Sequence, residues 1–159
     1  MSTRFAVAVH ILTVLAYWKG EPVPSARVAR SVNTSPAVIR QIMMRLRDAG
    51  LVDARLGKGG GSFLAKPVDE ITLLDVYQAT ESEELFCTHR NGPYEGCMIG
   101  RHILLALGEV TERATAALHE ELGAVTVGDM LNQVKDLDAS CEVDVNVAAT
   151  PATVASGQS

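Results

Sequence analysis

Residues 33–67, NTSPAVIRQIMMRLRDAGLVDARLGKGGGSFLAKP, decide how the chain is read. Thr34 and Ser35 are helix-capping types, Pro36 suits a first helical turn where its missing N–H is not needed, and Gly50 supplies a left-handed stop. The spacing predicts a helix of about four turns between them. Within it Val38, Ile39, Ile42, Met43 and Leu46 recur at helical spacing and form an inward stripe. Arg40, Gln41, Met44, Arg45 and Arg47 are left on an outward, basic face.

After Gly50 the pattern shortens to two strand-like runs, LVDARL and SFLAK, separated by Gly57, Lys58, Gly59, Gly60 and Gly61. A capped basic helix followed directly by a glycine-tipped hairpin has the layout of a winged helix. In such a fold the helix enters a major groove and the hairpin approaches backbone or minor groove. The candidate duplex contacts are therefore Ser35, Arg40, Gln41 and Arg45 on the helix, with Arg55, Lys58, Gly59, Gly60 and Gly61 on the wing. Arg40 or Gln41 can pair with a base edge through two hydrogen bonds, whereas Arg47 and Lys66 suit phosphates or a solvated face. GKGGGS has neither the spaced glycines of a dinucleotide fingerprint nor the Gly-Lys-Ser order of a phosphate-binding loop. No nucleophile stands with a base and an orienting group, so an enzyme is not expected.

Upstream, Phe5, Val9, Leu12 and Ala16 fall on one helical stripe, widened by Val7, Ile11, Val14 and Leu15, which predicts a mostly buried helix over 3–18. GEPVP breaks it. Ser25 can cap a second helix to about Val32, and helix, TSP turn and helix make a helix-turn-helix. Downstream, Thr72 can cap a helix LLDVYQA ending near Thr80, after which the chain turns acidic. The loop LFCTHRNGPYEGCMIGRH follows, with Cys87 and Cys97 and with His89 and His102.

From about Ile99 to Leu122 one long helix is predicted, with Ile103, Leu107, Val110, Ala114 and Ala117 at alternating four- and three-residue steps. At ~1.5 Å per residue it would run roughly 35 Å, more than a small winged-helix domain covers, so a homodimer is expected. Thr126 and Asp129 resemble a capping box for a last helix, VGDMLNQVKDL. The expected units are 1–80 for the winged helix-turn-helix, 81–98 for a cysteine-containing sensor loop, 99–137 for dimerisation and last helices, and 138–159 for a mobile tail without helical period. The fold class is mainly α with a small β-hairpin wing.

Charge supports this division. Residues 1–67 hold 10 Lys/Arg against 3 Asp/Glu, a balance of +7, whereas residues 68–159 hold 4 against 16, a balance of −12. The basic front half suits phosphates, and the acidic rear discourages indiscriminate wrapping of nucleic acid. The apolar segment Phe5 to Trp18 is too short to span a bilayer, and three irregularly spaced cysteines do not make a secreted disulfide framework. A cytoplasmic protein without a membrane partner is expected.

STRFAVAVHIL, SPAVIRQIMMRLRDAGLV, GKGGGSFLAKP, ITLLDVYQAT and the junction GCMIGRHI together resemble the bacterial Rrf-two family of regulators, that of IscR, NsrR, CymR and YwnA, and most closely its YwnA-type branch. The match spans nearly all of residues 1–137. The resemblance implies dimeric winged-helix transcription regulators on partly palindromic operators, with the long helix crossing the dimer. Several members hold an iron–sulfur cluster through three loop cysteines and a further ligand. Here the loop offers Cys87 and Cys97, a third loop cysteine is missing, Cys141 lies in the tail, and Gly100 stands where some members place a histidine. The family often has arginine before the first wing glycine; Leu56 stands there, which shifts basic readout to Arg55 or Lys58.

Three readings of the loop stay open. Cys87 and Cys97 can form a redox switch, with Arg90, His89, Arg101, His102 and a helix N-terminus favouring thiolate. The same cysteines can join His89, His102 or a partner's copy of His10 in an atypical iron–sulfur or metal centre. They can also simply pack as small hydrophobes. For the whole chain, a repressor-like DNA-binding regulator stands against a protein-interaction module built on the same fold.

Overall fold

The computed structural model describes residues 3–81, 85–86 and 91–147, with side chains described to residue 140. Three helices come first: α1 (Arg4–Tyr17), α2 (Ser25–Val32) and α3 (Pro36–Asp48). A hairpin of β1 (Val52–Arg55) and β2 (Gly61–Leu64) follows, then α4 (Leu73–Thr80), α5 (Met98–Ala124) and α6 (Val127–Val147). This is the mainly helical, winged helix-turn-helix architecture the residue pattern predicts.

The core is assembled from one stripe of each helix. Ala8, Ile11, Leu12 and Leu15 of α1 meet Val28 of α2, and Ile39 and Leu46 of α3, all essentially inaccessible to solvent. Leu51, Ile71, Val76 and Val127 close it from the hairpin, α4 and α6. Burying aliphatic side chains of this size contributes about 1.5–3 kcal/mol each. The stripe on α3 is Ile39, Ile42, Met43 and Leu46; Val38, expected inside, is 40% exposed because it lies beside that stripe rather than on it.

The termini of α3 are set locally. Ser35 is its N-cap, its Oγ accepting the Val38 N–H at 3.4 Å, and Pro36 opens the first turn. Gly50 has φ +71° and ends the helix as expected. Ser25 does not cap α2: Pro24 holds that position, and its carbonyl accepts the Arg27 N–H at 2.9 Å. The hairpin is antiparallel, Val52 opposite Leu64 and Arg55 opposite Gly61. Val23 adds a short third rung, exchanging backbone bonds of 2.8 and 3.0 Å with Ser62, so the wing is stitched to the start of α2.

Two capping boxes face each other farther along. Thr72 and Asp75 bond reciprocally at the start of α4, and Thr126 and Asp129 do the same at the start of α6. Between them Leu73 N–H donates to the Val125 carbonyl and Val127 N–H to the Ile71 carbonyl, both at 2.9 Å. This clasp returns α6 to the head, where Val127 is fully buried and Leu131 packs on the core. The start of α6 therefore belongs with the winged helix as much as with the long helix.

The last helix corrects the predicted boundary at 137. It runs to Val147, ten residues past Leu137. Between Gly128 and Pro151 no glycine or proline interrupts it, and Ser140 Oγ donates back to the Asp136 carbonyl at 2.7 Å, so the weak apolar period hides a continuous helix. Residues 148–159 of the expected tail lie outside the described residues.

Candidate nucleic-acid interface and sensor loop

The outward side of α3 carries Arg40, Gln41, Met44 and Arg47, all exposed. Arg40, Met44 and Arg47 border a hollow of about 230 Å³ whose far wall is the wing, through Ala54 and Ser62. Two guanidinium groups thus stand at the junction of helix and hairpin, where a phosphate backbone can be met from both. Met44, 53% exposed at the centre of this face, was visible in the sequence only as an outward residue. Its apolar side chain is suited to a thymine methyl or a sugar.

Arg45 stands apart. It is half-buried, and its Nη1 reaches the Thr80 carbonyl at 3.5 Å across 35 residues of sequence. This guanidinium ties α3 to the C-terminal end of α4 instead of standing with Arg40. Helical periodicity placed it outside the core stripe but could not show which neighbour lay beyond. Ser35 likewise uses its hydroxyl as a cap.

At the wing, Arg55 and Lys58 are exposed, and Leu56 is 92% exposed beside them. Gly57 and Gly59 have φ of +93° and +79°, conformations that side-chain-bearing residues rarely adopt. Gly60 and Gly61 have a different reason. A Cβ at Gly60 would strike the Arg55 carbonyl, and one at Gly61 would strike the Val23 backbone. Their visible role is to let the hairpin close and pair with Val23, while the tip itself is Leu56 to Gly59.

The cysteine-containing loop between α4 and α5 is described at 81, 85–86 and 91–97. Glu81 leaves α4 with its N–H on the Tyr77 carbonyl at 2.8 Å and its carboxylate 3.9 Å from the Arg4 guanidinium. At the other end Cys97 is exposed and immediately precedes α5. The backbone N–H groups of Gly100, and secondarily Ile99, hold its thiol below the ordinary range by favouring the anion. Cys87 and His89 lie outside the described residues, as does the side chain of Cys141.

The other proposed ligands are dispersed. His102 is exposed on α5, and His10, exposed on α1, has its Nε2 3.0 Å from Ser31 Oγ. Among the described residues no three His, Cys, Asp or Glu side chains come together as a metal site. Gly100 explains one departure physically: a Cβ there would strike the carbonyl of Tyr94, and one at Gly96 would strike the Tyr94 ring. The tight wrap of Tyr94 around the start of α5 leaves no room for a side chain at the position of the expected histidine. The described residues therefore do not fit that cluster arrangement.

The long helix α5 has no buried residue over its 27 residues. Its C-terminal part is anchored, His119 lying 6.1 Å from the Tyr77 ring and Tyr77 meeting Phe5 edge-on at 6.0 Å. Toward its N-terminus Ile99, Ile103, Leu107 and Val110 are 64, 37, 42 and 51% exposed. No described helix is long and apolar enough to cross a membrane.

Comparisons with known proteins agree with this geometry. Residues 1–133 match the Rrf2 family, described as an iron-dependent transcriptional regulator. YwnA of Bacillus subtilis, named as an HTH-type transcriptional regulator, is 37% identical over 135 residues, spanning 84% of this chain and 98% of YwnA. The HTH-type regulator IscR of Pectobacterium carotovorum is 30% identical over 149 residues, spanning 92% of this chain and 87% of IscR. The solved structure of CymR, the global cysteine regulator of B. subtilis, superposes with a TM-score of 0.63 at 25% identity, covering 84% of this chain and 96% of CymR. With a winged helix, a basic outward face on α3 and a family match over most of its length, the chain belongs to the Rrf2 family of DNA-binding transcription regulators.

Proposed function

We propose that the chain acts as a homodimer that grips an operator duplex with two winged helices and takes a redox signal from the loop ending at Cys97. The observation that carries the duplex contact is the exposed row of Arg40, Gln41, Met44 and Arg47 beside the wing. Arg40 or Gln41 reads a base edge in the major groove, while Arg55 and Lys58 approach the backbone. The exposure of α5 favours a second chain: a helix of about 40 Å with Ile99, Ile103, Leu107 and Val110 in solvent is unusual unless something covers it. A second copy of α5 offers the matching apolar seam. Two reading heads then address half-sites about one helical turn apart, or a multiple of it.

The signal is assigned to Cys97 on its exposure and its lowered thiol pKa. A peroxide would accept two electrons from the thiolate, leaving sulfenic acid and water. Attack by the Cys87 thiol would then expel a second water and form a disulfide. Arg45 supports a route to DNA, because the chain entering the loop at Thr80 is bonded to the reading helix itself.

A mobility-shift titration with duplex fragments tests the reading. Binding should weaken steeply with salt as released counterions are restored. Retention of no duplex at any salt would favour the protein-interaction module instead. A thiol count before and after peroxide, with an absorbance spectrum of anaerobically purified protein, separates the sensor readings. Two loop thiols that never react in a colourless protein would remove both switch and cluster.

A further inference from the structure

The face formed by α1, α2 and α6, away from the DNA-reading row, carries a cavity of about 330 Å³. Its walls include Tyr17, Trp18, Leu131 and Val134, with His10 and Arg27 as the polar groups of interest. A neighbouring hollow of about 650 Å³ shares Tyr17, Trp18 and Leu131 and adds Lys19 and Lys135. Trp18 is 37% exposed and Tyr17 62%, so the aromatic walls are open to a ligand. The Arg27 guanidinium stands 4.5 Å from the centre of the Trp18 ring, which orients it at the mouth.

The charges around this groove are one-sided. Arg27, Lys19 and Lys135 border it against the single carboxylate of Glu21 among the described lining residues. Lys135 is the sole cation of α6, a helix that otherwise carries several acids. An apolar hollow of this volume with a few convergent polar groups is the ordinary form of a small-molecule site. The cationic rim selects an anion, and a guanidinium held over an indole face offers a carboxylate two parallel hydrogen bonds.

We propose that this groove binds a small amphipathic carboxylate, its ring-sized apolar body against Trp18, Leu131 and Val134 and its carboxylate on Arg27. Because the groove lies between α2 of the helix-turn-helix and the start of α6, which follows the long helix, an occupant touches both and acts as an effector of DNA binding. That effector role rests on the DNA-binding reading, whereas occupancy of the groove does not.

Trp18 is the chain's only tryptophan, so its emission reports the site directly. The full chain is titrated with naphthoate and, in parallel, with the aminomethyl analogue of the same ring. Naphthoate should quench Trp18 saturably and bind at least about tenfold more tightly than the cationic analogue. Arg27→Gln should weaken naphthoate about tenfold with helical circular dichroism unchanged, and Arg27→Lys should keep the preference for the anion. A non-saturating response, equal affinity for both analogues, or wild-type affinity in Arg27→Gln would overturn the site. So would Trp18 emission that naphthoate leaves unmoved at every protein concentration because a second copy covers it. If naphthoate binds but leaves duplex affinity unchanged, the ligand site stands and its effector role fails.

Discussion

Helices α3 and α5 show how differently two helices of one chain can be completed. In α3 the residues Ile39, Ile42, Met43 and Leu46 are buried, the N-terminus is capped by Ser35, and the polar side borders the wing. In α5, twice as long, no residue is buried, and apolar side chains share the surface with charged ones. The reading head satisfies its own hydrophobic surface within one chain. The N-terminal part of α5 does not: the helix is anchored on α4 toward its other end, through His119 and Tyr77, and helical stretches gain little stability without tertiary packing. The contrast lies in burial: α3 completes its apolar stripe within the chain, whereas α5 leaves Ile99, Ile103, Leu107 and Val110 exposed, the seam on which the proposed dimer rests.

The largest effect is expected where the arm is attacked. Ile103→Glu combined with Leu107→Glu should raise the dimer dissociation constant at least about a hundredfold in sedimentation experiments, with operator affinity falling in parallel. An unchanged dimer would move the seam elsewhere on α5. In the head, Leu46→Ala should cost about 2–5 kcal/mol of unfolding free energy, read by denaturant titration, because the side chain is fully buried.

Smaller effects distinguish the parts of the grip. Arg40→Ala should lose about 1–3 kcal/mol on the preferred duplex and relax its sequence preference, if this side chain reads a base. Lys58→Ala should weaken all sequences alike and lower the salt slope by about 1; an unaltered slope removes it from the contacts. Least visible in binding is Cys97→Ser, which should leave reduced-state affinity as it was while abolishing the response to peroxide. The pH sign follows from the lowered thiol pKa: Cys97 stays thiolate to lower pH than a free cysteine. Its alkylation rate should therefore fall only as pH drops through that lowered value; a profile matching a free thiol would contradict the backbone stabilisation.

Much of the head was legible because its signals are local. Ser35, Pro36 and Gly50 bound α3 by backbone chemistry, and Gly57 and Gly59 mark a turn that few other residues adopt. Three features escaped because they depend on packing rather than on local pattern, two of them on contacts distant in sequence. Arg45 finds Thr80, 35 positions away; Gly61 is required by Val23; and Gly100 is held by the wrap of Tyr94. The extent of α6 escaped for another reason, since Ala139 to Val147 lacks an amphipathic period yet contains no breaker. The partition of the basic face was half-readable: periodicity gave the outward residues, and only packing separated Arg45 from Arg40.

Two basic heads are proposed to act on DNA as one particle. That proposal is tested most directly by the mass, in analytical ultracentrifugation, of the complex with a duplex that the protein itself selects from a random pool. Two chains on one duplex, at two similar half-sites about one helical turn apart or a multiple of it, are predicted. A single chain per duplex, bound as tightly with one half-site as with two, would contradict it.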